Sequence, residues 1–210
     1  MKAVAITANP EVESLTQAVG SAFLDGAAES GALTDMIDLH AEAFNPVYSM
    51  EDRLHYLGQG PVPDDVAALQ SRIEDADVIA FVFPMYWFSM PAIMKGFFDR
   101  VLCRGFSYNI DGTPGALAGK TIKLIILCGA SEGSHRIDGV DKAIDVQICQ
   151  RTLRDYCGVQ DIEKVYLDGL NMGDQDEQVR EEMRKRLIRI SVLGSQTAVQ
   201  TASQKPEVQS

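Results

Sequence analysis

Residues 83–100 read FPMYWFSMPAIMKGFFDR, and the only tryptophan of the chain, Trp87, stands between Tyr86 and Phe88 in a run that closes on Pro91. Three aromatic rings in a connecting segment offer flat apolar surface, and a loop backbone offers unpaired N–H groups. A planar heteroaromatic ring suits both, by stacking and by amide hydrogen bonds. A hydrophobic plug or a subunit contact would use the same residues. A second segment, ANPEVES at 8–14, runs into a helical pattern at Ser14. Exposed N–H groups and the dipole at such a helix start favour an anion, and the hydroxyls of Ser14 and Thr16 add donors, so a phosphate fits there. An ordinary capped helix accounts for this segment as well. No G-x-G-x-x-G follows the first apolar run and no G-x-x-x-x-G-K-[ST] occurs. That argues against a dinucleotide-binding Rossmann unit and a P-loop nucleotide hydrolase.

The elements that must position these segments alternate. Residues 3–7, 33–39, 77–83, 121–128 and 162–167 read as strands; 14–30, 64–76, 91–103, 139–157 and 175–193 read as helices. DVIAFVF at 77–83 is continuously apolar, as expected of a strand covered on both faces. Pro91 suits a first helical turn, where its missing N–H costs nothing. Strand and helix alternating five times imply an α/β fold, a doubly wound parallel sheet with right-handed crossovers, helices on both faces and strand order 2-1-3-4-5. Ligands of such sheets bind beyond the carboxyl ends of the strands at the switch between strands one and three. Segments 8–14, 84–90 and 129–138 converge there. Residues 40–63 and 104–119 are long for simple connections, and such loops in a compact domain are usually functional or disordered. The chain reads as one domain over 1–194, and SQTAVQTASQKPEVQS at 195–210 reads as a disordered tail without periodicity.

Composition narrows the classes. The net charge is −11 and the basic residues are scattered, so no stripe is present to neutralise nucleic-acid phosphates or dock on an anionic membrane. No apolar run approaches the roughly 20 residues of a membrane span. Cys103, Cys128, Cys149 and Cys157 form no CxxC pair and no zinc-type spacing, so no metal is expected and the thiols read as reduced in a cytoplasmic protein. The opening MKAVAITANP turns polar after six residues and reads as a strand, not a signal peptide.

The stretch FPMYWFSMPAIMKGFFDRV closely resembles the signature of the NAD(P)H:quinone oxidoreductases, flavodoxin-like flavoenzymes, at Phe83, Pro84, Trp87, Phe88, Pro91, Ala92, Lys95, Gly96, Arg100 and Val101. FNPV at 44–47, GFSY at 105–108 and YCGV at 156–159 resemble the family more weakly. The resemblance implies FAD, with FMN as the alternative, and NADPH or NADH as electron donor. It implies that Pro84, Met85, Tyr86, Trp87 and Phe88 hold the isoalloxazine edge, with Trp87 and Phe88 walling the site. Cys128, Gly129, Ala130 and Ser131 would contact the pyrimidine end, and Asn9, Ser14, Leu15 and Thr16 would bind the phosphates. Asn9 stands where the family carries His, so it can donate a hydrogen bond but carries no charge. After strand four the family's Thr-Thr-Gly-Gly run is replaced by Leu127-Cys128-Gly129-Ala130, and His135 is the only histidine nearby. His135 is carried over as the group that protonates a quinol oxygen, with an exposed loop histidine as the competing reading.

The implied activity is two-electron, ping-pong hydride transfer from NAD(P)H to a quinone or similar flat acceptor through one shared slot. The family is typically homodimeric, and Phe106 and Tyr108 are expected to reach across into the neighbour's pocket. Two other classes remain open at this level: an ancillary regulatory subunit of a potassium-efflux system, and a flavodoxin-type electron carrier. The missing T-x-T-G-x-T loop after strand one disfavours the carrier, and turnover of NAD(P)H with a quinone separates the enzyme from both.

Overall fold

A computed structural model of the chain describes residues 1–169 and 177–204. Five parallel strands, β1 (Lys2–Thr7), β2 (Leu33–Asp38), β3 (Val78–Pro84), β4 (Thr121–Leu127) and β5 (Asp161–Leu167), lie in the order β2-β1-β3-β4-β5. This is the flavodoxin-like arrangement expected from the alternation of elements. β3 and β4 are buried almost throughout, which is why they read as unbroken apolar runs.

Each face of the sheet carries its own core. Val4, Ile6, Phe81, Phe83 and Ile122 point to one side and meet α3 (Asp64–Glu74) and α4 (Ala92–Arg100) through Ile73, Met94 and Phe97. On the other side Ala3, Ala5 and Ala80 leave room for α1 (Leu15–Glu29) and α7 (Glu177–Gln204) to press close. The two helices touch backbone to backbone: a Cβ on Gly194 would lie 2.0 Å from the carbonyl oxygen of Phe23, and one on Gly26 would lie 1.8 Å from that of Ser191.

Three expectations change here. Residues 195–204 are helical, where the sequence read as a disordered tail; residues 205–210 lie outside the described residues. Gly194, Thr197, Ala198 and Thr201 form a buried stripe, and Thr201 donates to Thr121 Oγ1 at 3.2 Å. The stripe has helical spacing but is built of small residues, so it carries no strong hydrophobic signal. The long connection 40–63 contains a further helix, α2 (Met50–Tyr56), started by a reciprocal capping box between Ser49 and Asp52. The helix read over 139–157 divides into α6 (Val140–Ile144) and a wider π-helical segment, Asp145–Tyr156. The helix read from 175 begins, among described residues, at Glu177.

Two residues of the aromatic-run signature explain how 40–63 is held. A Cβ on Gly96 would lie 2.3 Å from Pro46 Cβ, so only glycine lets that segment lie on α4. Arg100, 4% exposed, donates to Asp52 Oδ2 (2.9 Å), the Asn45 carbonyl (2.7 Å) and both oxygens of Asp65 (2.7 and 3.0 Å). Its guanidinium also lies over the Phe44 ring at 5.5 Å. Burial opposes ionisation of Asp52, but the bonds from Arg100 and Ser49 outweigh it and hold the carboxyl below the usual range. Removing one partner of such a buried pair costs about 3–5 kcal/mol, because the other charge is left stranded.

Replacing an interior helical glycine by alanine ordinarily stabilises by about 1 kcal/mol. At Gly194 the sign should reverse, because the added methyl meets the Phe23 carbonyl. Gly194→Ala is expected to lose about 1–3 kcal/mol to overpacking, read as a lower Tm.

Candidate active site

Hydrogen bonds beyond the strand ends extend the sheet into a crest. Leu39 N donates to Thr7 O (3.1 Å), Ala8 N to Val82 O (3.2 Å), Met85 N to Leu127 O (2.7 Å) and Cys128 N to Leu167 O (2.9 Å). The segments after β1, β3 and β4 therefore stand side by side, as the topology required.

After β3 the chain makes a tight turn. Tyr86 and Ser89 exchange both backbone bonds, Tyr86 N to Ser89 O at 2.9 Å and Ser89 N to Tyr86 O at 3.1 Å. The two residues between them, Trp87 and Phe88, have φ of 48° and 63°. Paired positive φ is the signature of a type I′ turn, whose preferred residues are Asn-Gly. Bulky side chains in that conformation cost about 1–2 kcal/mol each. Burial of the rings does not offset this, because Trp87 is 94% exposed and Phe88 62%. The aromatic run is therefore not a plug within this chain. Among the described residues the N–H groups of Trp87 and Phe88 find no acceptor.

Met85, Trp87 and Phe88 form one wall of a cleft of about 240 Å³, and Cys128, Gly129, Ala130 and His135 form the other. Pro84 ends β3 immediately below it, and Tyr86 is half-exposed at its rim. Gly129 and Ala130 are exposed, and Ser131 caps α5 (Glu132–Ile137) by accepting from Ser134 N at 3.2 Å. His135 is in α5 and is 3% exposed, so the exposed-loop reading of it does not hold; its Nε2 is buried without a partner among the described residues. Burial, with Asp168 and Glu132 nearby, pushes the Cys128 thiol up to about 11, so it stays protonated at neutral pH and is no nucleophile.

Segment 9–16 stands at the adjoining strand end without lining the cleft. Asn9 Nδ2 donates to Thr16 Oγ1 (3.2 Å), and Asn9 Oδ1 accepts from Glu11 N (3.0 Å). Ser14 Oγ accepts from Gln17 N at 3.3 Å, so it is the N-cap of α1 and keeps its own proton for another acceptor. The N–H groups of Leu15 and Thr16, in the first turn, have no partner among the described residues. Gln17, which sequence reasoning passed over, braces the segment by donating to Asp38 Oδ2 at 2.7 Å.

Phe106 and Tyr108 do not reach the cleft of their own chain. Phe106 is partly buried against the core, and Tyr108 meets Tyr156 edge-on, with centroids 5.5 Å apart. Tyr108, Ile110, Pro114 and Tyr156 line a separate cavity of about 580 Å³. Tyr156 opens the YCGV segment that resembles the family, whereas Ile110 was not singled out in the sequence, since its isolated position in a loop carries no periodic signal.

The family described as a flavodoxin-like fold matches residues 1–190. The rat protein NAD(P)H dehydrogenase [quinone] 1 is 32% identical over 209 residues, which span 89% of this chain and 76% of the rat chain. The solved NAD(P)H:quinone oxidoreductase from Methanothermobacter marburgensis superposes with a TM-score of 0.79 at 27% identity, covering 91% of this chain and 98% of that one. An FMN-dependent NADH-azoreductase from Bacillus anthracis, solved in complex with FMN, superposes with a TM-score of 0.67 over 94% of this chain and 99% of that one. At 16% identity that likeness concerns the fold alone. The chain belongs to the NAD(P)H:quinone oxidoreductase family of flavodoxin-like proteins.

The strained turn has a direct test. Trp87→Asn combined with Phe88→Gly supplies the residues a type I′ turn prefers. The double variant should gain about 1–3 kcal/mol of stability, read as a higher denaturant midpoint. A midpoint that falls would show that the rings stabilise this chain.

Proposed function

We propose that this chain is a flavin-dependent NAD(P)H oxidoreductase that passes two electrons, by ping-pong hydride transfer, to a quinone or a similar flat acceptor. The observation that carries the reading is the Trp87–Phe88 turn: two rings held out of the core at positive φ, with two backbone donors unused. Such strain persists where the surroundings over-determine it, and it clusters at ligand sites.

The residues fit a flavin. The free N–H groups of Trp87 and Phe88 suit the ring edge at N5 and O4, and the open backbone at Gly129 and Ala130 suits its pyrimidine end. The first turn of α1, with the hydroxyl protons of Ser14 and Thr16, serves a phosphate through neutral donors. FAD is the cofactor in this reading, with FMN the alternative, and NADPH or NADH the donor. When bound, the flavin supplies hydride acceptance and donation. The chain's own contribution is placement and charge. Backbone dipoles aimed at the ring edge favour negative charge there without reorganising. Trp87 and Phe88 restrict the slot to flat molecules. His135 holds a proton in the cleft for an acceptor oxygen.

A cleft of about 240 Å³ is small beside the roughly 300–1,000 Å³ of sites that enclose drug-sized ligands. A further wall comes, in this proposal, from another copy of the chain, through Tyr108 of its Tyr108–Tyr156 cavity and the loop that carries Phe106. The site is then shared across a homodimer. No helix among the described residues is long and apolar enough to cross a membrane, and all four thiols are free, which supports a cytoplasmic location.

Trp87→Ala decides between a slot wall and a structural role. An exposed residue should leave Tm nearly unchanged, while kcat/KM for NAD(P)H and for quinone fall together by about 1–3 kcal/mol of transition-state stabilisation. Fluorescence of Trp87 should be quenched in the holoprotein and recover when the flavin is removed. A large drop in Tm with intact kinetics would oppose this reading, and a chain that turns over no NAD(P)H would point to the ancillary-subunit alternative.

A further inference from the structure

His135 sits on α5, a helix of only six residues. A helix that short has little stability of its own, so its orientation must come from what it is tied to. The ties come from one face of the edge strand β5. Side chains alternate along a strand, so Lys164, Tyr166 and Asp168 follow one another on the same side. Asp168 Oδ2 accepts from Glu132 N, the first amide of α5, at 2.7 Å. Lys164 Nζ donates to Asp141 at the start of α6, reaching its Oδ1 at 2.8 Å and its carbonyl at 3.1 Å. Between these two tethers lies Tyr166. Its hydroxyl donates to the same Asp141 Oδ1 at 3.0 Å, and its ring faces the His135 imidazole with centroids 6.1 Å apart and planes inclined by 30°. Burial and the Asp141 carboxylate raise the phenol's pKa, so it remains a donor.

We propose that Tyr166 is a positioning residue for His135: anchored through its hydroxyl to Asp141, its ring is the floor that fixes the plane of the imidazole at the edge of the cleft. Asp141 is the joint of the device, since Lys164 and Tyr166 both fix it. The proposal rests on the reading of His135 as the proton-holding group of a quinone reductase. It adds a row of residues behind that group which touch neither cofactor nor acceptor. The floor is needed because His135 makes no side-chain hydrogen bond among the described residues that would fix its ring, and its Nε2 is left without a partner. Packing and tethering alone then set its orientation. Displacement of a reacting group by about 1 Å can cost up to about a hundredfold in rate, even from a change remote from the chemistry.

The test uses the holoprotein and the variants Tyr166→Phe, Asp141→Asn and His135→Gln. Tyr166→Phe keeps the ring and removes only the anchor. The imidazole NMR signals of His135 should move, while those of His40 and His55 stay in place as internal controls. Reoxidation by quinone should slow by about tenfold, with reduction by NAD(P)H changed far less, because the proton is needed on the acceptor side. Asp141→Asn should produce the same split. In the His135→Gln background, Tyr166→Phe should cost nothing further, since residues acting through one another are not additive. Unmoved His135 signals would overturn the proposal, as would an equal loss of rate with and without His135. If the wild-type chain reduces no quinone, the functional reading fails, and the His135 signals of Tyr166→Phe still decide whether Tyr166 sets the ring.

Discussion

Trp87 and Phe88 at φ of 48° and 63° are the constraint around which this molecule is organised. A chain left to itself would relax such a turn, since two bulky residues in the left-handed region are opposed by roughly 2–4 kcal/mol together. It is held because both of its ends are fixed. Below it, β3 is the central strand of five and is paired on both sides, so Met85 leaves the sheet in one direction only. Beyond it, Pro91 starts α4, whose buried face of Met94, Phe97 and Phe98 locks that helix to the sheet. The length between these anchors leaves a tight turn as the way across.

The signature surrounding the aromatic run divides into two roles. Trp87 and Phe88 face outward, and their N–H groups are free for a ligand. Gly96 and Arg100 face inward, and their work is structural: one admits Pro46 against α4, and the buried guanidinium of the other ties the Asn45 carbonyl, the buried Asp52 and the exposed Asp65 together. Removing either partner of the buried Arg100–Asp52 pair would leave the other charge stranded. The arrangement held in this way is the course of residues 40–63 beside the site. The wall opposite the turn follows a different logic. It is the segment after β4 together with His135 of the short α5, and that helix is tied at its start by Asp168 and lies beside the Tyr166 ring, so its geometry is borrowed from β5.

The fold was legible because its signals are strong and local. Unbroken apolar strands such as 77–83 occur where both faces of a sheet are covered, and helices between them leave few topologies. The turn's position was legible too, from three aromatics and a proline after a strand. Its φ values were not, because nothing in Trp-Phe asks for the left-handed region. The tail differs for a similar reason: α7 meets α1 at Gly194 and β4 at Thr201, with Thr197 and Ala198 buried between them, and small residues at helical spacing resemble a featureless segment. His135 could be placed in the right loop, but it is buried in the fold, with the ring of Tyr166, about thirty residues later on β5, near its own. Tertiary placement of that kind leaves no trace in local sequence. Tyr108 and Tyr156 were separated in the same way and meet only in the folded chain.

In the proposed function, the turn after β3, the first turn of α1 and the segment after β4 form one cradle for a flavin and its phosphate. The most direct measurement is a titration of flavin-free protein with riboflavin, FMN and FAD in parallel, followed by flavin fluorescence. FMN or FAD should bind saturably at one per chain, with riboflavin weaker by about tenfold or more, since it lacks the phosphate that would meet Leu15, Thr16 and the Ser14 hydroxyl. Equal affinity for riboflavin would show that the first turn of α1 holds no phosphate. Binding of none of the three would show that the cleft is not a flavin site.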